Sequence, residues 1–269
     1  MDIIKYIILG ILQGITEPLP ISSSGHIYII KAIINTTIFN DLSLEIFLNF
    51  ASFIAILLIF KKDVIKLIKG FFKYIKTKGE ECKEEFKYCW LLVIGTIPVA
   101  VLGFFTKDIL EGVLARNIFL VGLGFFVTGV ALLLAMDSEG EKQDKDITIK
   151  DAILIGIYQA VAIVPGISRS GMTLVGCLLN GFDNKTALKY SFMLYLPVSL
   201  GTMISGFTEF KAQSADINMI LYYLIGMIAA GLLTYISYNW LTKIVERGKL
   251  WRFSIYLFAI AIFTVMLFI

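Results

Sequence analysis

Six uninterrupted apolar segments place the strongest constraint on what this chain can fold into. Each is 17 to 24 residues long, which matches the about 20 residues that a helix needs to cross about 30 Å of hydrocarbon. They cover residues 44–60, 88–105, 117–136, 187–207, 218–241 and 251–269. Hydrophobic residues make up 58% of the chain and charged residues only 17%, with a mean hydropathy of +0.82. Too few polar groups remain to cover a soluble surface, so the sequence predicts an all-α, multi-pass integral membrane protein.

The charge and the cysteines argue against several other classes of protein. The formal net charge is only +3, and the sequence has no basic tail, so no nucleic-acid partner is expected. The three cysteines, Cys82, Cys89 and Cys177, form no CxxC pair, and His26 is the only histidine. A structural zinc site is therefore not expected either.

Two further apolar stretches are interrupted by proline, glycine and serine. Their apolar pieces are residues 3–15 and 27–34 in the first stretch and residues 152–164 and 172–179 in the second. As helices, pieces of 13 and 8 residues would be only about 20 Å and 12 Å long, so neither could span the membrane alone. Pro18, Pro20 and Pro165 disfavour a continuous helix through either break. The pattern predicts two re-entrant helical hairpins whose polar turns are buried in protein or line a wet cavity.

Lysine and arginine are distributed unequally among the loops between these segments. Loops 61–87, 137–150, 180–186 and 242–252 carry 17 basic residues, whereas loops 35–43, 106–116 and 208–217 carry three. The positive-inside rule places the first set in the cytoplasm. Within 61–87, lysines recur at helical spacing opposite apolar side chains, which predicts an amphipathic helix on the inner leaflet.

The two interrupted stretches are related to each other at a fixed offset of 146 residues. Over residues 10–25, seven of 16 positions are identical to their counterparts, and the shared residues include glycine, glutamine and serine. Three full spans separate the copies, so the second copy runs through the membrane in the opposite direction. We therefore predict one membrane domain, 1–269, built as an inverted-topology repeat of about 1–136 and about 147–269. The first hairpin would enter from outside and the second from the cytoplasm, with their tips meeting inside the membrane.

The breaks in the two stretches contain the polar side chains that are candidates for a functional site. The first copy offers Gln13, Glu17, Ser22, Ser23, Ser24 and His26, and the second offers Gln159, Ser168, Arg169, Ser170 and Thr173. Glu17, His26 and Arg169 are the only ionisable residues among them. An intramembrane ionisable side chain costs about 2.5–3.5 kcal/mol on insertion scales. One such residue could be a structural ion pair or a packed histidine, but three on two related hairpins indicate a function.

The chemistry of these side chains favours a phosphate group as the ligand. The planar guanidinium of Arg169, beside serines and the backbone of Gly166, suits bidentate hydrogen bonding to phosphate. Glu17 would repel phosphate unless its carboxyl is protonated or a divalent cation lies between them, so the use of a hard cation is implied. Ser23 or a metal-activated water would attack phosphorus, with His26 as general base or acid. The substrate-binding residues would be Gln13, Ser22, Ser24, Gly166, Ser168, Ser170 and Thr173.

At these two segments the sequence resembles the undecaprenyl-diphosphate phosphatase family, the bacitracin-resistance membrane phosphatases. Residues 13–26 read QGITEPLPISSSGH and residues 165–173 read PGISRSGMT, and both runs are similar to signatures of that family. Length, span count and repeat organisation resemble the family along the whole chain. The resemblance implies hydrolysis of undecaprenyl diphosphate to the monophosphate and inorganic phosphate at the outer face of the bacterial cytoplasmic membrane. This reaction would recycle the lipid carrier of peptidoglycan synthesis and give bacitracin resistance.

The resemblance also implies roles for individual residues. Glu17, Ser23, His26 and Arg169 match positions implicated in catalysis, and activity in the family depends on a divalent cation such as Mg²⁺ or Ca²⁺. This chain departs from the family pattern at position 13, where it has Gln and many members have Glu. Glu17 is thus left as the only acid on this turn to bind a metal. Pro18 also stands where an aromatic residue is commoner.

Two alternatives to this function come from other protein classes. Inverted repeats with broken helices are also typical of transporters, so a flippase for a lipid phosphate, using Arg169 without a nucleophile, is the main alternative. The Ser24-Gly25-His26 run is also found in type-2 phosphatidic acid phosphatases, whose chemistry requires a second histidine that this sequence lacks. The expected partners are the isoprenoid diphosphate lipid and membrane lipid, and a homodimer is left open.

Overall fold

The computed structural model describes residues 2–34, 42–112, 117–138, 140–209 and 217–267. Within these ranges the chain is helical, apart from turns and one isolated bridge between Lys142 and Phe182. The helices are α1 (Asp2–Thr16), α2 (Ser23–Ile34), α3 (Leu42–Ile59), α4 (Lys61–Thr77), α5 (Lys83–Gly112), α6 (Ile118–Ala135), α7 (Ile149–Val161), α8 (Arg169–Leu179), α9 (Asn184–Glu209), α10 (Ile217–Glu246) and α11 (Trp251–Met266).

Several helices have the length and composition of membrane spans. Three segments within the described ranges qualify: Glu80–Thr106, Ile118–Ala135 and Met219–Glu246. A fourth qualifies if α3 and α4, which are bent by 77° relative to each other, are counted as one span. The other predicted segments fall on α9, which contains Pro197, and on α11, which has 16 residues. The fold is therefore that of an all-helical, multi-pass membrane protein, and the prediction of six spans is supported in part.

Helix α4 is the amphipathic helix predicted within residues 61–87. Four of its apolar side chains are about half exposed: Ile65, Ile68, Phe72 and Ile75. Two of its lysines form ion pairs at the start of α5: Lys66 pairs with Glu85 in the first turn of that helix at 3.1 Å, and Lys73 with Glu81 just before it at 2.5 Å. An apolar face left open beside a basic face is the arrangement of a helix that lies on a membrane surface.

Both interrupted stretches fold as two helices separated by a short break. The second helices, α2 and α8, begin at Ser23 and Arg169, which is four and three residues earlier than the apolar pattern indicates. The reason is capping, because serine at an N-cap accepts a hydrogen bond from the first turn. Ser22 Oγ accepts from the Gly25 N–H at 3.3 Å, and Ser168 Oγ accepts from the Gly171 N–H at 3.1 Å. Several polar residues predicted to lie in irregular turns therefore belong to the first turn of a helix.

The first helix of each hairpin packs against a long helix from the other half of the chain. Helix α1 lies along α10, and α7 lies along α5. A Cβ atom added at Gly10 would lie 2.2 Å from the carbonyl oxygen of Gly226, and one added at Gly156 would lie 2.5 Å from that of Gly95. Small residues allow this close approach of helix backbones inside a membrane. Gly10 and Gly156 occupy equivalent positions at the 146-residue offset, so the same contact holds both hairpins.

The main buried core joins the second hairpin to the helices around it. Phe125 of α6 and Tyr190 of α9 are completely buried, and the Tyr190 hydroxyl donates to the carbonyl oxygen of Leu91 on α5 at 3.0 Å. A smaller buried cluster connects α1, α3 and α10 and includes Tyr6, Leu44 and Tyr223. The two clusters fix the hairpins from opposite sides and so determine where their breaks meet.

We expect Gly156→Ala to destabilise the protein, because the new methyl group would collide with the backbone of α5. Overpacking of this kind costs about 1–3 kcal/mol, measurable as a lower midpoint of thermal unfolding in detergent. The matched control is Gly201→Ala on α9, where an added Cβ meets no atom within 4 Å. That change should be neutral or slightly stabilising, since alanine favours helix over glycine. Equal midpoints for the two variants would contradict the proposed close contact between α7 and α5.

Candidate functional site

The breaks of the two hairpins meet at a cavity of about 310 Å³. The first hairpin lines it with Glu17, Pro18, Ser22, Ser23 and Ser24. The second hairpin lines it with Gln159, Ala162, Ile163, Ile167, Ser168, Arg169, Ser170 and Thr173. Helices α3, α5 and α9 supply the remaining wall. The structure thus brings together eight of the eleven site residues predicted from the sequence; the other three are Gln13, His26 and Gly166.

An ion pair between Glu17 and Arg169 connects the two hairpins. Oε1 of Glu17 accepts a hydrogen bond from Nη2 of Arg169. Oε2 of the same carboxylate accepts from the Ser23 hydroxyl at 2.5 Å and from Gln13 Nε2 at 3.0 Å. Burying a charge in an apolar environment is tolerated only when it is paired and hydrogen-bonded, and both oxygens of Glu17 meet this condition.

Arg169 is also held from a second direction by α9. Its Cζ lies 4.4 Å from the centre of the Tyr195 ring, and its Nη1 donates to the Ser199 hydroxyl at 3.4 Å. A guanidinium over an aromatic face gains a cation–π attraction that also fixes its plane. Because the Arg169 side chain is 26% exposed and lines the cavity, it presents a positive charge to any ligand that enters.

The hydroxyl of Ser23 lies beside a proton acceptor, as the hydroxyl of a serine nucleophile must. It is the first residue of α2, and its hydroxyl donates to the carboxylate of Glu17. A hydroxyl in this arrangement can lose its proton to the carboxylate as its oxygen attacks an electrophile. The pair formed by Ser23 and Glu17 is therefore competent for general-base-assisted attack.

The N-termini of α2 and α8 both reach the cavity. Their capping serines make the same contacts, since Ser22 Oγ lies 3.3 Å from Ser24 Oγ and Ser168 Oγ lies 3.3 Å from Ser170 Oγ. The first backbone N–H groups of a helix carry partial positive charge and bind anions. Ser170 also donates to the carbonyl oxygen of Leu19 at 3.0 Å, which ties one hairpin tip to the other. Two helix N-termini and one guanidinium therefore surround a space suited to a phosphate or diphosphate.

His26 does not line the cavity. Its Nδ1 lies 2.7 Å from the Ser22 carbonyl oxygen, its Nε2 lies 2.6 Å from the Tyr256 hydroxyl, and the Phe125 ring packs against it at 5.1 Å. Because a carbonyl oxygen can only accept, Nδ1 carries the proton and Nε2 accepts from Tyr256. This buried imidazole connects the start of α2 to α11, and its predicted acid–base role stays a prediction.

Gln13 and Gly166 support the site from outside the cavity. Gln13 Nε2 donates to Asn49 Oδ1 at 2.9 Å as well as to Glu17, so it orients the carboxylate. Gly166 has a φ of +89°, and a Cβ added there would lie 2.2 Å from the carbonyl oxygen of Val121. Glycine is required because the second break turns sharply while touching the backbone of α6. Direct contacts from Gln13 and Gly166 to a substrate stay predictions.

The structure adds site residues that sequence reasoning missed. Tyr195 and Ser199 on α9 hold Arg169, Asn49 on α3 holds Gln13, and Tyr256 on α11 holds His26. All four lie inside segments that were assigned only as membrane spans. A signal for the α9 pair was present, because polar side chains four residues apart lie on the same face of a helix.

The described residues do not by themselves form a closed site for a metal ion. Among them, no three or more His, Cys, Asp or Glu side chains lie close enough together to hold a metal ion. Glu17 is the only acidic side chain of the cavity wall within the described ranges, and both of its oxygens are already engaged. Mg²⁺ usually binds through one or two carboxylates together with substrate phosphates, and Glu17 is the carboxylate that the described part of the cavity wall offers.

Comparison with known proteins identifies the relatives of this chain. The family model described as bacitracin resistance protein BacA matches residues 6–263. The chain is 40% identical over 264 residues to undecaprenyl-diphosphatase 2 of Bacillus thuringiensis strain Al Hakam, covering 98% of this chain and 97% of the relative. It is also 40% identical to undecaprenyl-diphosphatase 1 of Bacillus licheniformis, covering 97% and 96%. The undecaprenyl-diphosphatase of Oceanobacillus iheyensis is 38% identical, with 94% and 92% covered.

We expect Glu17→Gln to lower the free energy of unfolding, because Arg169 would lose its carboxylate partner. Breaking a fully buried pair costs about 3–5 kcal/mol; we expect about 1–3 kcal/mol, since the arginine side chain is 26% exposed and water screens it in part. Adding Arg169→Met to Glu17→Gln should restore part of the loss by removing the unpaired charge. Thermal unfolding of both variants in detergent measures this.

The matched control for this prediction is an exposed ion pair. Lys83 and Glu80 are 58% and 80% exposed and pair at 3.0 Å, so Glu80→Gln should leave the unfolding midpoint nearly unchanged. If Glu17→Gln changed the unfolding midpoint no more than Glu80→Gln, the ion pair between the hairpins would not stabilise the fold.

Proposed function

The chain belongs to the bacitracin resistance protein BacA family, and we propose that it is an undecaprenyl-diphosphatase. It would hydrolyse undecaprenyl diphosphate to undecaprenyl phosphate and inorganic phosphate. One observation carries this proposal: the Ser23 hydroxyl donates to the Glu17 carboxylate beside the guanidinium of Arg169, between two helix N-termini. A nucleophile, its proton acceptor and a cationic phosphate site thus converge in one cavity.

The mechanism starts from the binding of the diphosphate. Its oxygens would lie at the N-termini of α2 and α8 and against the guanidinium of Arg169, which would donate hydrogen bonds to them. The Ser23 oxygen would attack the terminal phosphorus and pass its proton to Glu17. The bond between that phosphorus and the bridging oxygen breaks, and undecaprenyl phosphate leaves. Arg169 stabilises the charge that develops on the phosphoryl oxygens.

The second half of the reaction would release inorganic phosphate. Water would attack the phosphorus of the phosphoserine, and the bond between that phosphorus and the Ser23 oxygen would break. Glu17 would return its proton to the Ser23 oxygen, and the protons of the water would leave on the inorganic phosphate. The alternative is a single step in which water attacks the terminal phosphorus directly and Ser23 only positions it. Both routes use Glu17 as the proton acceptor and Arg169 as the phosphate ligand, so they share one site.

An apolar wall beside the polar groups suits a lipid substrate. Val99 of α5 and Ile163, just after α7, line the cavity together with Phe192 and Val198 of α9. The isoprenoid chain next to the diphosphate would gain favourable burial against these side chains. This wall supports a long-chain isoprenoid diphosphate over a water-soluble phosphate ester as the substrate.

We further propose that the cavity opens to the outer side of the bacterial cytoplasmic membrane. The resemblance to the family supports this orientation, while the α9 side chains that line the cavity, from Ser191 to Thr202, lie in the middle of that helix. The six spans and two re-entrant hairpins of an inverted repeat belong to the same proposal, and the exchanged packing of α1 on α10 and α7 on α5 supports it. An outward-facing site would recycle the lipid carrier for peptidoglycan synthesis and give bacitracin resistance. A homodimer stays a prediction.

A divalent cation is proposed as a companion of the diphosphate, because the described residues do not form a closed metal site. Mg²⁺ or Ca²⁺ bound with the substrate would neutralise phosphate charge, and Glu17 is the acidic side chain available to it. The ion would also separate the phosphate charge from the Glu17 carboxylate, while Ser23, Glu17 and Arg169 keep the roles given to them in the two steps.

Release of inorganic phosphate by the purified protein tests the proposed function. We expect turnover of undecaprenyl diphosphate in detergent, and Arg169→Lys should reduce it by about a hundredfold to a thousandfold, because lysine lacks the planar bidentate donors. Arg252→Ala is the matched control, since Arg252 contacts the Trp251 ring and does not line the cavity; its activity should be unchanged. Tight binding of the intact lipid with no phosphate release would instead support the flippase alternative.

Ser23→Ala distinguishes the two routes of attack. If the serine is the nucleophile, activity should fall at least about a thousandfold, and acid quenching of the wild type with terminally labelled diphosphate should give labelled phosphoserine. Ser24→Ala, which removes a hydroxyl next to Ser22 rather than Glu17, should lose much less activity. Activity of Ser23→Ala within tenfold of the wild type would assign the attack to water.

A further inference from the structure

The side chain of Gln159 contacts neither the Glu17 carboxylate nor the Arg169 guanidinium through a hydrogen bond, although it is part of the cavity wall. Gln159 of α7 is only 1% exposed and lines the same cavity as Arg169 and Ser168. Neither its Nε2 nor its Oε1 has a hydrogen-bond partner among the described residues. A buried side-chain amide without partners is unusual, because leaving such a group unsatisfied costs free energy.

The repeat explains how Gln159 came to lack a partner. Its counterpart at the 146-residue offset is Gln13, whose Nε2 donates to the Glu17 carboxylate four residues later. The residue four positions after Gln159 is Ile163, which cannot accept a hydrogen bond. The second copy therefore has the amide without the acceptor, and its amide lies buried in the wall of the cavity.

The surroundings of Gln159 indicate what would complete its hydrogen bonding. The cavity is lined by the Arg169 guanidinium, the Ser168 hydroxyl and the N-terminus of α8, all of which attract an anion. Phosphate oxygens accept hydrogen bonds, and the side-chain NH₂ of glutamine is a double donor. A phosphate oxygen in the cavity is thus the acceptor that the second copy lacks.

We propose that Gln159 is a substrate-binding residue whose carboxamide donates a hydrogen bond to the diphosphate group. The inference rests on the proposed function and names an additional ligand of the same substrate. The phosphate site would then have a donor from each helix that flanks the second break: Gln159 on α7 before the break and Arg169 on α8 after it. Its contact forms only when substrate is bound, so the amide lowers the stability of the free protein while it favours the complex.

Two substitutions at Gln159 test this contact in the full-length protein in detergent. Gln159→Leu removes the donor at similar volume and should lower kcat/KM for undecaprenyl diphosphate about tenfold to a hundredfold. Gln159→Glu should lower it further, because a carboxylate repels the diphosphate. In the absence of substrate, the thermal midpoint of Gln159→Leu should equal or exceed that of the wild type, since the unpaired buried amide is gone.

The matched control is Gln143→Leu on the cytoplasmic side. The Gln143 side chain accepts a backbone hydrogen bond that caps the short turn at Asp144–Asp146, so its loss should lower the thermal midpoint and leave phosphate release unchanged. This is the opposite pattern to that expected for Gln159→Leu. A lower midpoint for Gln159→Leu would show a structural role and overturn the inference.

The outcomes also separate this inference from the proposed function. If the wild-type protein releases phosphate and Gln159→Leu keeps its full kcat/KM, Gln159 does not bind substrate, but the function stands. Activity of Gln159→Glu equal to the wild type would likewise overturn the donor role. If the wild-type protein itself releases no phosphate, the proposed function fails first.

Discussion

Hydrocarbon offers no hydrogen-bond partner, so every charged or polar group that this chain brings into the membrane must be satisfied inside the protein. The pair formed by Glu17 and Arg169 meets that constraint and sets the geometry of the site. It joins the break between α1 and α2 to the break between α7 and α8, and each of these four helices is too short to cross a membrane alone. A charge on either hairpin would be costly alone; together they neutralise each other, and the guanidinium remains partly open to a ligand.

The positions of the two helix breaks relative to each other depend on close packing between helix backbones and on helix capping. Gly10 and Gly156 let α1 and α7 approach α10 and α5 closely, which fixes the position of each first helix against its long neighbour. Ser22 and Ser168 then start α2 and α8 at equivalent positions. As a result, the residues that follow the caps, Ser23 and Arg169, both occupy the first position of a helix. Ser23 donates its hydrogen bond to the Glu17 carboxylate, and Arg169 is the counter-charge of the same carboxylate.

The sequence predicted the parts of this arrangement that follow from local pattern. The all-helical membrane fold, the two broken stretches and the amphipathic α4 all come from hydrophobicity and from proline and glycine positions. The side chains that meet across the site could not be predicted in the same way. Tyr195, Ser199 and Tyr256 lie within apolar spans, and only tertiary packing shows that they face Arg169 and His26. The starts of α2 and α8 were placed too late because serine capping outweighed the apolar pattern.

The repeat also shows how two similar hairpins can form one asymmetric site. At the 146-residue offset, Glu17 corresponds to Ile163, Ser23 to Arg169 and His26 to Met172. If both copies had kept the acid, two carboxylates would face each other and repel a phosphate; if both had the arginine, two guanidinium groups would lack a counter-charge. Divergence at these three positions gives one hairpin the nucleophile with its proton acceptor and the other the cationic phosphate site. Gln159 fits the same logic, because Ile163 stands at the position equivalent to Glu17 and leaves the Gln159 amide without an acceptor on the protein.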